Sequence, residues 1–471
     1  MDKIPILEGL IDYHKEENLI FSMPGNKCGK AFLKDNIGKD FAGKLGFLDI
    51  TENDPLDNLH NPQGIIKEAE ELLANHYKGK RAFFMVNGSS GGNIISIFSA
   101  FNEGDEVLVE RNCHKSVYNG LILRKLKVTY IDPVIDEEHG IFMPPNKENI
   151  YKALEITKSA KGIILTSPNY YGLSYKLIEE TLKELKEKGL KVIIDAAHGA
   201  HFGVCNSLPN KITNIADYTI LSAHKTIPSL TQGGYLIVNE EESNVDFYFN
   251  CFITTSPSYL ILASLDYGRY YLQKYGENDY NNLIKLASEW KEKINKLNKV
   301  HILEDKDVKE NYEEDKSRYI MTVKEGLNGH KLFDYLRGEK IQCEMSFERG
   351  VVLILSPINN DDDFKKIFNA IEKLNIEEIK EIYSNTFDFI KPKKVLEPYE
   401  VFNKEYEMIE IEKCNAKIAK ESIIPYPPGI PLVCAGETIN KKCIEIIEEY
   451  IKNKKDVIGT YKGKVKVIKE K

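Results

Sequence analysis

The stretch KGIILTSPNYYGLSYKLIEETLKELKEKGLKVIID, Lys161 to Asp195, decides the fold. It opens on a short apolar run, Lys161 to Thr166, followed by the polar turn SPNYYG. Leu177 to Lys188 then sets apolar residues at helical spacing on a charged background. A second apolar run, Lys191 to Asp195, is rich in Val and Ile. Two buried strands joined by an amphipathic helix make a βαβ unit, and such a crossover implies parallel strands.

The alternation extends outward. Arg81 to Val86, Glu106 to Val109, Lys127 to Ile131, Ala216 to Leu221 and Gly234 to Val238 read as further strands, and Asn149 to Ser159 as a helix. The expected fold class is α/β, a mostly parallel sheet with flanking helices. In such sheets ligands sit beyond the carboxyl ends of the strands.

After about residue 275 the texture changes. A Lys- and Glu-rich helix, Asn281 to Leu297, precedes strand-like pieces (Tyr319 to Val323, Val351 to Leu355) and helices (Lys331 to Leu336, Asp362 to Leu374). Further on come PYPPGIP, Pro425 to Pro431, and a final helix, Lys441 to Ile451. The chain is read as three units: 1–275, an N-terminal segment and major domain; 276–384, a smaller α/β domain; and 385–471, a C-terminal domain. PYPPGIP has the composition of a polyproline ligand, but its apolar flanks favour a rigid internal turn.

With 471 residues the chain exceeds one ordinary core, and 42% hydrophobic with 29% charged residues is a globular composition. A net charge of −8 argues against a nucleic-acid or anionic-membrane partner. No run of about 18 apolar residues suggests a membrane span, and the N-terminus lacks a basic head followed by an apolar stretch. The eight cysteines are scattered without a CxxC pair, as expected for thiols in a cytoplasm.

Four strand ends carry chemistry. In Asn87-Gly88-Ser89-Ser90-Gly91-Gly92-Asn93, glycines, hydroxyls and a following apolar helix suit an anion such as phosphate; the competing reading is a plain turn with a helix cap. It matches neither GxxxxGK[ST] nor GxGxxG. In RNCHKS, His114 suits either stacking on an aromatic ligand or capping a helix. In DAAHGAH, Asp195 ends an apolar strand, where a carboxylate needs a partner. That partner could be a protonated pyridine nitrogen of pyridoxal phosphate, a metal shared with His198 and His201, or the next helix. In LSAHKT, Lys225 stands one strand further on, beside His224 and small hydroxyl residues. A lysine that forms a Schiff base must lose its proton, which burial favours.

Taken in this order, with SMPGNKCG (Ser22 to Gly29), LDITENDPLDNLHNPQG (Leu48 to Gly64), SPNYYG, TTSPSY (Thr254 to Tyr259) and PYPPGIP followed by Gly436-Glu437, these motifs resemble the Orn/Lys/Arg decarboxylases in their short bacterial form. The resemblance covers nearly the whole chain. It implies an aspartate-aminotransferase-like, fold type I architecture, pyridoxal 5'-phosphate as cofactor, and decarboxylation of a basic amino acid. Arginine or lysine is the expected substrate, and ornithine stays beside them because one methylene is worth only about 1–3 kcal/mol in a pocket. The resemblance also implies a homodimer or higher homo-oligomer with the site at the interface.

Position by position, it implies Lys225 as the Schiff-base lysine, Asp195 as partner of the ring nitrogen and His114 as the stacking ring. Gly88, Ser89 and Ser90 would hold the phosphate, Ser222 and His224 would line the phosphate side, and His198 would sit beside the ring. Thr255 would reach the partner's cofactor. For the substrate's distal cation the candidates are Glu344 and Glu437, each of which could equally be a surface carboxylate.

Three positions depart from the family pattern: Asn26 replaces a histidine, Cys28 a glycine, and Ala196 a glutamate. The loss at Ala196 is read as removing a carboxylate next to the site. Competing functions are an aminotransferase or C–C lyase on the same fold, a metal-dependent hydrolase using Asp195, His198 and His201, and a catalytically silent homologue that binds a partner.

Overall fold

A computed structural model of the chain describes residues 4–381, 390–426, 431–452 and 456–469. Seven strands form the central sheet: β1 (Arg81–Met85), β2 (Glu106–Glu110), β3 (Lys127–Ile131), β4 (Gly162–Thr166), β5 (Lys191–Asp195), β6 (Tyr218–Leu221) and β7 (Gly234–Val238). Their spatial order is β1-β7-β6-β5-β4-β2-β3. The run from β6 to β3 is parallel, and β7 is antiparallel to both its neighbours. Every residue of β4, β6 and β7 is buried. Strands covered on both faces need unbroken apolar runs, which is why these segments were readable.

The helices that matter for the site are α1 (Pro5–Lys15), α2 (Gly88–Ala100), α3 (Lys115–Arg124), α4 (Ile178–Glu187) and the short α5 (Ala223–Thr226). The quoted βαβ unit is β4, α4 and β5, in register with Thr166 opposite Asp195. α4 buries Ile178, Leu182 and Leu185. Each such side chain contributes about 1.5–3 kcal/mol, so this stripe fixes the helix on the sheet.

A second, antiparallel sheet comprises β8 (His301–Ile302), β9 (Arg318–Thr322), β10 (Met345–Phe347) and β11 (Gly350–Ile354), in the order β8-β9-β11-β10. It shares one continuous core with the central sheet. The C-terminal segment buries a core of its own, which includes Ile411, Val433, Ile447 and Val465. Its sheet is β12 (Tyr406–Glu410), β13 (Thr460–Tyr461) and β14 (Lys464–Ile468), in the order β12-β14-β13. The helix expected to close the chain, observed at Lys441–Lys452, is therefore followed by strands. The alternation KVKVI turns Val465 and Val467 inward, a period of two that marks a strand. Within PYPPGIP, Pro427 to Ile430 lie outside the described residues.

The N-terminal segment is clamped onto the turn that carries Lys225. Leu19–Phe21 pairs in parallel with Ile341–Cys343. Gly25 then packs so closely that a Cβ there would stand 2.6 Å from the Ile227 nitrogen. Its N–H donates to the His224 carbonyl at 2.6 Å. Asn26 donates to the Ser229 carbonyl at 2.8 Å and accepts from the Gly29 N–H at 2.9 Å. The asparagine thus secures the chain just beyond Lys225. Among the described residues no helix is long and apolar enough to cross a membrane. All eight cysteines are free thiols.

Candidate active site

The carboxyl ends of the parallel strands open onto one cleft of about 280 Å³, at the lower end of the small-molecule range. Gly88, Ser89, Ser90, His114, Asp195, His198, Ser222, His224 and Lys225 all line it. Thr166, Tyr170, Thr231 and Gln232 line it too and had not been singled out in the sequence.

Asp195 ends β5 and is 2% exposed. Its Oδ2 accepts from Asn93 Nδ2 at 2.8 Å and its Oδ1 from the Ala197 N–H at 3.1 Å. Among the described residues it makes no ion pair within 4.0 Å, although a buried carboxylate without a cation is costly. Asn93 also donates to Ser116 Oγ at 2.9 Å, which ties Asp195 to the start of α3. There His114 is the N-cap: its Nδ1 accepts from the Ser116 N–H at 3.2 Å. Burial holds the His114 imidazolium below its usual range, with Asp195 opposing. His114 therefore caps the helix and also lines the cleft.

Lys225 follows β6 on α5, half-buried, with Nζ 3.0 Å from His198 Nε2. Burial lowers its pKa, while Asp195 and Glu344 oppose the shift. His198 is 4% exposed. Burial first, then Lys225 and Arg318, keep it neutral far below its usual range. At the other end of the cleft, Gly88 has φ +77°, which lets α2 start immediately after β1. Ser222 Oγ donates to Ser89 Oγ at 2.6 Å, and His224 Nδ1 donates to the Gly233 carbonyl at 2.9 Å.

Several candidates lie elsewhere. His201 is fully buried, with Nε2 3.1 Å from Asp315 Oδ1 and 3.0 Å from Ser317 Oγ, and its ring stacks on Tyr280. It does not converge with Asp195 and His198. No group of three metal-ligating side chains forms among the described residues. The metal-site reading is therefore corrected. Ala196 lines a separate cavity with Ser174, Lys176 and Glu179. Adjacent residues at a strand end face opposite ways, so the missing carboxylate belongs behind the sheet and not in the cleft.

Glu437 is also corrected as a substrate ligand. It is 1% exposed, and both its oxygens are paired with Arg111, Nη1 to Oε1 and Nη2 to Oε2 at 2.7 Å each. Oε2 also accepts from the Cys434 N–H at 2.7 Å. This pair fastens the C-terminal segment to the end of β2. Glu437→Ala strands a buried guanidinium and is expected to cost about 3–5 kcal/mol of stability, read as a fall in Tm.

Glu344 is half-buried and accepts from the Met23 N–H at 2.8 Å. Its charge acts on both Lys225 and Lys27. Lys27 was not anticipated. It is 3% exposed, and Nζ donates to the carbonyls of Ser22 at 2.6 Å and Ile354 at 3.1 Å. Burial lowers its pKa to about 7. Thr255 is exposed on the surface and does not line this chain's cleft.

An α/β sheet whose strand ends gather a lysine, an unpaired aspartate and a hydroxyl-rich helix start defines an enzyme of the fold type I class. The chain belongs to the Orn/Lys/Arg decarboxylase family: the family's major domain matches residues 4–335 and its C-terminal domain residues 377–465. It is 34% identical to the uncharacterized protein YaaO of Bacillus subtilis, over 98% of this chain and 97% of that one. It is 30% identical to an arginine decarboxylase of Bacillus anthracis, over 94% and 92% of the two chains. The solved lysine decarboxylase LdcF of Francisella novicida superposes with a TM-score of 0.79 at 19% identity, covering 95% of this chain and 78% of that one, a likeness of fold.

The family works with pyridoxal phosphate, and this chain is an amino-acid decarboxylase of that kind. The residues present fit the group. Asp195 offers a buried anion to a cationic ring nitrogen, Ser89, Ser90 and the α2 N-terminus offer donors to a phosphate, and Lys225 offers an amine to an aldehyde.

Proposed function

We propose that the chain decarboxylates arginine or lysine, with ornithine as third candidate, to the corresponding amine in this cleft. The observation that carries the reading is Asp195, a buried carboxylate that has no ion pair among the described residues and shares a cleft with Lys225. Pyridoxal phosphate, when bound, supplies the electron sink for the electrons left when the Cα–carboxylate bond breaks.

The side chains divide the remaining work. Lys225, which lines the cleft, would hold the cofactor through Nζ and, once substrate has freed its amine, would carry the proton to Cα. Asp195 keeps a proton on the ring nitrogen by its charge. His114 supports the ring face, and its position is fixed through Ser116 and Asn93. Gly88, Ser89, Ser90, Ser222 and His224 bind the phosphate end, and His198 borders the ring. Glu344 receives the distal cation of the substrate, a role supported by its charge, which acts on Lys225 and Lys27.

The reading includes a second copy of the chain. α1 buries none of its residues, and Ile6 and Leu10 are 81% and 64% exposed. Such an apolar face suits a homodimer, in which the exposed Thr255 serves the partner's cleft. It also includes the units 1–275, 276–384 and 385–471, the last supported by its separate core. Free cysteines suit the cytoplasm, where the amine would feed polyamine formation.

The test is CO₂ release measured separately from arginine, lysine and ornithine with the cofactor present. The expected result is CO₂ and amine in equal amounts from arginine or lysine. A keto acid in place of CO₂ would replace the reading with aminotransferase chemistry.

A further inference from the structure

We propose that Arg318 is a positioning residue: it fixes the tautomer of His198 and thereby holds Lys225 as an unprotonated amine. The inference rests on Lys225 being the reactive lysine.

Arg318 opens β9 of the second sheet and is 1% exposed. Its guanidinium is committed on every side. Nε donates to Asp315 Oδ2 at 3.1 Å and Nη1 to the Tyr170 carbonyl at 3.0 Å. Nη2 lies 3.0 Å from His198 Nδ1 and 3.3 Å from the His198 carbonyl. Asp315 is anchored in turn. Its Oδ1 accepts from the Ser317 hydroxyl at 2.6 Å and the Ser317 N–H at 3.0 Å, and His201 Nε2 lies 3.1 Å away. Burial alone would raise the Asp315 carboxyl, but His201 and Arg318 hold it well below the usual carboxylate range. An anion therefore keeps the guanidinium in place.

Donor bookkeeping fixes the rest. A guanidinium has donors only, so His198 Nδ1 must present a lone pair. The neutral ring then carries its proton on Nε2. Nε2 faces Lys225 Nζ at 3.0 Å. An ammonium has no lone pair to accept that proton, whereas an unprotonated amine has one. An imidazolium would aim an Nδ1–H at the guanidinium. Thus Arg318 makes His198 a donor and not a base, and Lys225 keeps the lone pair that a nucleophile needs.

The charges around this pair act in both directions. Asp195 and Glu344 favour the ammonium form of Lys225, and burial and Arg318 oppose it. Around His198 stand Lys225, Arg318, His114 and His224, all of which disfavour the imidazolium. No carboxylate is within hydrogen-bond reach of His198 among the described residues. No local sequence pattern links the two, because Arg318 and His198 are 120 positions apart.

The test is a ¹⁵N NMR measurement on the full chain freed of cofactor, with histidine labelled and the His198 signals assigned by their loss in His198→Asn. The expected wild-type pattern is an unprotonated Nδ1 and a protonated Nε2, unchanged between about pH 5 and 8. Arg318→Met should lose the fixed pattern, and Arg318→Lys, which keeps a donor-only group, should retain it. In parallel, acylation of Lys225 by a limiting reagent should fall about tenfold or more at neutral pH in Arg318→Met, the change that one pKa unit makes. A protonated Nδ1 in the wild type, signals that titrate within that range, or an unchanged pattern in Arg318→Met overturns the proposal. If Arg318→Met does not fold, the wild-type pattern and Arg318→Lys decide. A failed covalent label at Lys225 would instead remove the reading on which the proposal rests.

Discussion

Lys225→Ala is expected to abolish CO₂ release, lowering turnover by about four orders of magnitude or more, as loss of a covalent catalytic group does elsewhere. The fold should survive. The Lys225 backbone is held independently of its side chain: its N–H donates to the Ser222 carbonyl at 3.1 Å, and the neighbouring His224 carbonyl accepts from Gly25. Truncation leaves His198 Nε2 without its partner, a loss of about 1–3 kcal/mol if the site stayed dry. The cleft is open, so water relieves much of it. The variant should therefore combine a near-normal Tm with no detectable CO₂, measured with cofactor in excess. A low Tm would show that the lysine is structural.

Asp195→Ala is the second large effect, expected to reduce kcat by several orders of magnitude. In the proposed role of Asp195, the charge that would keep the ring nitrogen protonated is lost, while most of the cleft remains. Asn93 still donates to Ser116, so His114 keeps its place. The phosphate-end residues Ser89 and Ser222 bond each other and not Asp195. Cofactor binding should thus weaken less than turnover. Titration of the variant with cofactor, followed by CO₂ release at saturation, separates the two. Near-normal turnover at saturation would refute the role of Asp195.

The central sheet was legible because its strands are buried on both faces, so each had to be an apolar run, and each run had to end in the polar residues of the cleft. Lys225, Asp195 and His114 stand at or just beyond three such ends, which is why the sequence placed them together. Residues supplied by another layer were invisible. Arg318 and Asp315 enter from the second sheet, and no local pattern links them to His198. The partner of Glu437 is Arg111, 326 positions away, so a conspicuous Gly-Glu pair was open to misreading as a substrate ligand.

Other signals lie in the local pattern itself. The period of two assigns Asp195 and Ala196 to opposite faces, and it marks Lys464–Ile468 as a strand. Asn93 lay inside the quoted NGSSGGN motif, yet only its contact with the Asp195 carboxylate reveals its part. Glu110, the last residue of β2, is 1% exposed and accepts from the Thr166 N–H at 2.7 Å. Burial, reinforced by the nearby Asp195, raises its pKa to about 8 and so favours its neutral form.

The most direct test of the account is chemical. The cofactor-loaded chain is reduced with borohydride, digested, and the modified peptide mapped by mass spectrometry. The visible absorbance of the lysine-bound cofactor is expected to be bleached, and the label to fall on Lys225 alone. A label on any other lysine, or no absorbance after reconstitution with pyridoxal phosphate, would contradict it.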